Sequence, residues 1–316
     1  MASDHHGHSH AVDADTDRRR LAVALGLILA FMAVELASAV LASSLALVSD
    51  AAHMLTDAAG LGFSLLALRL ASRPARGAMT FGFKRAEILS AQANGVTLLI
   101  LAALIAYEAI RRLFEPPQVR GGLMLAVALA GILVNLAAAW TLAKANRQSL
   151  NIEGSFQHIL TDLYGFIGTA IAAAVILLSG FQRADPIAAI LIAGLMTRSG
   201  YSLVKASGRV FLEAAPEGLD PRVIGEALAR QAGVVEVHDL HVWEVTSGFP
   251  ALSAHVLVAP ERDCHAARRE MEAVLRERFG LDHTTLQVDH SSSELLAIAP
   301  RANAAEPGAR SSTREP

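Results

Sequence analysis

The sequence predicts an α-helical membrane protein, a six-span transmembrane bundle followed by a small cytosolic α/β domain of order αββαβ. Three observations predict it. Of 316 residues, 53% are hydrophobic and only 18% charged, where a soluble domain carries about 25% charged residues. The charges are clustered, leaving apolar stretches of roughly twenty residues, long enough to cross a hydrocarbon core of about 30 Å. After Glu213 these stretches give way to short alternating and amphipathic segments.

Residues 1–20 form a His-rich cytosolic tail containing His5, His6, His8 and His10, a cluster able to hold a metal loosely or to be without effect. The transmembrane unit, 21–212, contains spans at about 21–42, 45–70, 86–113, 122–143, 154–179 and 186–207. Short connections make neighbouring spans antiparallel. Arg18, Arg19, Arg20, Arg69, Arg73, Arg76, Lys84, Arg85, Lys144, Arg147, Lys205 and Arg209 fall on one side, and only Arg111, Arg112, Arg120 and Arg183 on the other. The first side is therefore cytoplasmic, with both termini inside. In the unit 213–290, "PEGLDPRVIGEALARQAG" reads as a helix, "VVEVHDLHVWEVTSG" and "PALSAHVLVA" as a hairpin. "DCHAARREMEAVLRERFG" is an amphipathic helix closed by Gly280, and "HTTLQVDH" a third strand. Residues 291–316 are expected to be a disordered tail.

Composition also excludes classes. A net charge of −3 and the lack of a basic patch interleaved with aromatics argue against nucleic acid. The lone Cys264 excludes an intrachain disulfide and suits a reducing cytosolic face. No cleavable signal is evident. HExxH, GxSxG and P-loop motifs are absent, so the chain is not expected to be an enzyme.

The polar residues inside the spans carry the chemistry. "SDAAHMLTDAAG", residues 49–60, places Asp50, His53 and Asp57 in span 2, and "FQHILTDLYG" places His158 and Asp162 in span 5. In each His–Asp pair the two residues are four apart, so both side chains leave one helix face, with Cβ atoms about 5–6 Å apart. Charge buried in a membrane without a partner is costly. One reading is interhelical polar contacts that help the bundle pack. The other is a metal site, because two imidazole nitrogens and two carboxylates are the N/O set that Zn²⁺ takes in a tetrahedron at about 2.0–2.2 Å. Two matching pairs on separate spans favour the metal. Asp50 reads as an outer acceptor or a charge on the approach path. Glu35, Asn94 and Asn135 read equally as hydrogen-bonding groups between helices or as pathway lining.

"SLALVSDAAHMLTDAAG", "TFGFKRAEILSAQANG", "GSFQHILTDLYG", "ADPIAAILIAG" and "VHDLHVWEVTSG…LSAHVLV" together resemble the cation diffusion facilitator family, in particular its bacterial zinc, cadmium and cobalt efflux members. The resemblance spans about residues 20–290. It implies a homodimer of six-span protomers in the inner membrane, in contact with lipid, with a metallochaperone-like cytosolic domain. Each protomer would exchange cytosolic Zn²⁺ for protons, with His53, Asp57, His158 and Asp162 as the transport ligands. His238, His255 and Asp289 match recurrent ligand positions of a cytosolic site. Gln287 and Asp282, however, stand where relatives often have His, and His241, His290 and the more distant His283 are substitutes. The loop "ASRPARGAMTFGFK" contains neither His nor Asp, so the further site that some relatives hold there is not expected. Arg85 and Glu213 resemble a charged interlock between the membrane and cytosolic parts. Cys264 reads as a bystander. Competing readings are Co²⁺, Cd²⁺ or Ni²⁺ as cargo, or a membrane-anchored metal sensor.

Overall fold

Six long helices precede a small α/β unit: α1 (His8–Ala42), α2 (Leu45–Ala71), α3 (Ala86–Phe114), α4 (Gly121–Ala143), α5 (Leu150–Ser179) and α6 (Ala184–Phe211). The structure, a computed structural model, describes residues 8–42, 45–115 and 121–291; the side chains of 8–15, 35, 38–42, 45–53 and 56 lie outside that description. The tail histidines, Glu35, Asp50 and the segment 292–316 therefore lie outside the described residues or side chains. Among the described residues, α3, α4, α5 and α6 are each long and apolar enough to cross a membrane.

The bundle exposes large apolar side chains and buries a set of polar ones among its apolar core residues. Leu104, Tyr107, Leu133, Trp140, Ile171 and Leu178 are exposed, while Ser64, Asn94, Asn135, Asn151, Ser155 and His158 are buried. With lipid as solvent, helices associate through close packing and polar contacts rather than apolar burial. α3 packs most extensively on α6, α4 on α5 and α1 on α2. Small residues permit this. A Cβ at Gly200 would stand 2.9 Å from the Gly95 carbonyl oxygen, so α3 and α6 meet backbone to backbone. A Cβ at Gly131 would strike the Phe166 ring, fixing the approach of α4 to α5.

The α/β unit contains α7 (Pro221–Ala229), β1 (Val234–Thr246), β2 (Phe249–Val258), α8 (Cys264–Phe279) and β3 (His283–His290). β1 and β2 form an antiparallel hairpin, and α8 carries the chain to β3, which pairs parallel with β2. Ile224, Leu228, Val242, Leu252, Val256, Met271 and Leu275 close one core between the helices and the sheet. Asp220 and Asp263 cap α7 and α8 by accepting backbone N–H groups, and Gly280 ends α8 in the left-handed conformation. The order matches the sequence reading.

The unit is tied to the bundle at its hairpin turn. Thr246 Oγ1 donates to the Lys84 carbonyl (3.0 Å), Leu150 N–H donates to Ser247 Oγ (3.0 Å), and the Lys84 ammonium lies 4.7 Å from the Phe249 ring centroid. A second tie joins Arg85 Nη2 to Glu213 Oε1 at 3.1 Å. Glu213 sits just past α6 with φ +56°, a place that helices usually give to glycine. Its N–H donates to the Val210 carbonyl and that of Ala214 to the Arg209 carbonyl, which completes a Schellman turn. An exposed ion pair contributes about 0–1 kcal/mol, and left-handed backbone at a non-glycine residue costs roughly 1–2 kcal/mol. Stability therefore does not explain a glutamate here; the link to α3 does. In thermal melts of the detergent-purified chain, Glu213→Gly should exceed Glu213→Ala by about 1 kcal/mol, because both lose the bridge and only alanine keeps the backbone cost. Equal midpoints would show that no such cost exists.

Candidate metal centre

α5 is the most heavily anchored helix of the bundle. Its Ser149 cap accepts from the Ile152 N–H, and Ser247 of the hairpin turn accepts from the Leu150 N–H. Two of the amides that a helix start leaves open are thus satisfied, one of them by the other domain. Arg147 grips Glu153 through two hydrogen bonds (2.8 and 3.1 Å) and stacks over Phe156. Asn151, Ser155, His158 and Asp162 recur at helical spacing and line one face. That face meets α2 and α3.

There the structure brings three sequence-predicted residues together. His158 Nε2 lies 2.9 Å from Asp57 Oδ1 and 3.7 Å from Asp162 Oδ2. The three ligand atoms all fall within 4.8 Å of one another. Asp57 and His158 are only 6% and 7% exposed. Ligands around a tetrahedral Zn²⁺ stand about 3.3 Å apart when metal–ligand bonds are about 2.0–2.1 Å. The observed separations bracket that value, so small rotamer adjustments would admit an ion. Without one, the Asp57–His158 hydrogen bond offsets part of the cost of burying both groups. His53 stands one helical turn before Asp57 on α2, but its side chain lies outside the described residues. A cavity of about 220 Å³ adjoins the cluster, lined by Asp57, Asp162, Thr161, Asn135, Phe166 and Ile192 among others. Most of these residues lie farther from the α/β unit than the cluster does.

A second group forms on the sheet. His238, Asp239 and His255 present ligand atoms within 4.8 Å of one another. His238 and His255 face each other across β1 and β2, with rings 5.5 Å apart, and His255 Nδ1 lies 3.6 Å from Asp239 Oδ2. Asp289 is not in this group; its carboxylate accepts from Gln287 (2.9 Å), the residue paired with His255. Sequence reading missed Asp239, because alternation sends neighbours 238 and 239 to opposite faces. The ladder is irregular between His238 and His241, and Asp239 takes φ +49° there. Such bulges re-aim side chains. His290 is bound to the Arg262 carbonyl, while His241 borders a neighbouring cavity of about 310 Å³ with Asp239 and His255. His283 packs on Phe81 and Phe249 away from this group.

Comparison with known proteins places this geometry. A family model described as the cation efflux transmembrane domain matches residues 21–212, and one for the cation efflux protein cytoplasmic domain matches residues 216–291. The chain belongs to the cation diffusion facilitator family. A cadmium, cobalt and zinc/H(+)-K(+) antiporter of Bacillus subtilis (strain 168) is 36% identical over 306 residues, covering 93% of this chain and 96% of its own. The zinc transporter ZitB of Escherichia coli (strain K12) is 38% identical over 290 residues, covering 90% and 92%. The metal cation efflux system protein CzcD of Cupriavidus metallidurans is 36% identical over 302 residues, covering 94% of each chain. As in the family, a helical transmembrane domain carries a small cytosolic α/β domain. The end of the bundle beside that domain is thus the cytosolic end, and the cavity at the cluster lies on the outer side of Asp57 and His158.

Metal binding would tie the cluster together, and its loss is measurable without transport. At a hundred times its dissociation constant a ligand stabilises a protein by about 2.7 kcal/mol. Asp57→Ala should strongly reduce the Zn²⁺-induced rise in melting temperature and, because it leaves the buried His158 ring without its partner, should also lower the metal-free midpoint. A variant that kept the full Zn²⁺ shift would exclude Asp57 as a ligand.

Proposed function

We propose that this chain exports divalent cations, Zn²⁺ foremost, from the cytoplasm in exchange for protons. The proposed form is a homodimer of six-span protomers in the inner membrane, with both termini cytoplasmic. His53, Asp57, His158 and Asp162 form the transport site, a His2Asp2 tetrahedron. The observation that carries this reading is the buried Asp57–His158–Asp162 cluster beside a cavity within the bundle. Mixed nitrogen and oxygen ligands suit Zn²⁺, and also Co²⁺, Cd²⁺ and Ni²⁺. The names of the relatives point the same way: zinc for one, and cadmium, cobalt and zinc for another.

Coupling follows from the ligands. No nucleotide-binding motif is evident in the sequence, so uphill movement needs an ion gradient. Asp57 in its ionised form only accepts, so the 2.9 Å contact then has a hydrogen on His158 Nε2. A metal needs that nitrogen's lone pair, so the hydrogen must shift to Nδ1 in a neutral ring or leave a doubly protonated one, and in the second case metal and proton compete for the ring. Facing the cytosol, the site releases protons and takes the metal; facing the more acidic outside, it does the reverse. In proteoliposomes an imposed pH gradient should drive Zn²⁺ uphill, with protons moving the opposite way. Zn²⁺ flux indifferent to that gradient would reduce the protein to a passive channel, and no flux at all would leave the membrane-anchored sensor. That reading gives the buried intramembrane carboxylates no work.

Cargo choice should respond to the imidazoles. Oxygen-richer sites favour harder ions, so His53→Asp should admit Mn²⁺ more readily relative to Zn²⁺ in the same vesicles. An unchanged metal profile would remove His53 from the ligand set. On the cytosolic face, His238 and His255, joined by Asp239 and with Asp289 nearby on β3, are proposed to hold a regulatory ion.

A further inference from the structure

The cavity at the metal cluster lies on its outer side, and on the cytosolic side the bundle is closed by polar groups. Asn94 on α3 donates to Ser64 Oγ on α2 (3.2 Å), which lies 3.3 Å from Ser90 Oγ on α3. Asn151 on α5 donates to the Ser64 carbonyl (2.8 Å), and Ser155 Oγ donates to the Asn151 carbonyl (3.0 Å). Asn94 sits between two glycines: a Cβ on Gly60 would lie 3.4 Å from its Oδ1, and one on Gly154 3.7 Å from its Nδ2. Gly60 is one turn from Asp57 and Gly154 one turn from His158, so this column ends at the cluster. Its cytosolic end is Glu87, one turn before Ser90, which faces Ser149 and Ser247. Every one of these polar side chains on α2, α3 and α5 is at most 9% exposed.

A seal made only for packing would be apolar, or fully paired, because an unpaired buried acceptor costs free energy. This column is neither. Glu87 Oε1 and Asn151 Oδ1 are buried and have no hydrogen-bond partner. Oxygens left without donors are what a cation needs as it sheds water. We propose that the column from Glu87 to Asn94 and Asn151 is the cation's approach from the cytosol, Glu87 and Asn151 supplying oxygens that replace its water before Asp57 and His158 take it. This inference rests on the export reading and extends it to the opposite side of the site. In the arrangement seen here, α2, α3 and α5 close around the column, and parting α3 from α5 would open it.

The test uses the full chain in proteoliposomes holding a zinc-sensitive dye. Glu87→Gln keeps the shape and removes the charge. At limiting Zn²⁺ its initial rate should fall about tenfold, the lower end of what a charged approach contributes to association, while the saturating rate is retained. Glu87→Asp should recover most of the loss, and Asn151→Leu should move the rate in the same direction as Glu87→Gln. The Zn²⁺-induced thermal shift should persist in all three, which a ligand or a folding residue would not allow. On a Cys264→Ser background, Ser90→Cys should be blocked by a membrane-impermeant thiol reagent added on the cytosolic side during turnover, and not from the outer side. Parent-like rates for Glu87→Gln and Asn151→Leu at every Zn²⁺ concentration would overturn the path, as would loss of the thermal shift or a Ser90→Cys that never reacts. A parent chain that moves no divalent cation would instead overturn the export reading itself.

Discussion

A carboxylate inside a bilayer needs a hydrogen-bond partner other than bulk water. In this bundle Asp57 finds that partner in His158. The contact requires α2 and α5 to lie side by side with matching faces, and the rest of the architecture serves that alignment. α5 is held at its cytosolic start by Arg147, Ser149 and Ser247. α4 is drawn against it at Gly131, and glycines at 60 and 154 leave room for Asn94 beside the cluster. The three side chains stand at separations close to those that a tetrahedral ion would require. Replacing them with apolar residues would suit the bilayer better and leave nothing for a cation to bind.

Much of this was legible in the sequence, for physical reasons. Two His–Asp pairs at a spacing of four cannot point apart on a helix, so each pair's shared face was legible, while the meeting of Asp57 with His158 and Asp162 comes from the packing of α2 beside α5. The αββαβ order was equally plain, since Asp263, Gly280 and the alternating strands mark their own boundaries. The Arg85–Glu213 bridge was foreseen from resemblance. Asp239 was not, because a bulge breaks the period on which strand reading depends. Glu87 and Asn151 also went unremarked, since one polar residue near the end of an apolar run looks like any residue at a membrane interface. Only the packing of α3 on α5 shows that both are enclosed.

The hairpin turn between β1 and β2 has two roles in the structure. It closes the sheet of the cytosolic domain, and through Ser247 it completes the first turn of the helix that carries His158 and Asp162. Lys84 and Phe249 hold the same turn against the loop that joins α2 to α3. A domain attached only through a flexible linker would leave the amide of Leu150 to solvent. Here a hydroxyl of the cytosolic domain supplies that amide's partner, so the first turn of the membrane helix is completed by another domain.

The contact of α3 with α6 is the most extensive between any two helices of the bundle. With Gly200 against the Gly95 carbonyl and Leu98, Leu99 and Val204 packed around the glycines, these two helices interlock closely into a single strut. Both ends of the Arg85–Glu213 tie sit on this strut, one at each member's cytosolic end. The cluster, by contrast, is carried by α2 and α5, which belong with α1 and α4. The cytosolic unit is fastened to both groups of helices, to α3 and α6 through Arg85–Glu213 and to α5 through Ser247. Any movement of the α3–α6 pair against α2 and α5 would be taken up at the polar seam between α3 and α5 and felt at both fastenings of the cytosolic unit.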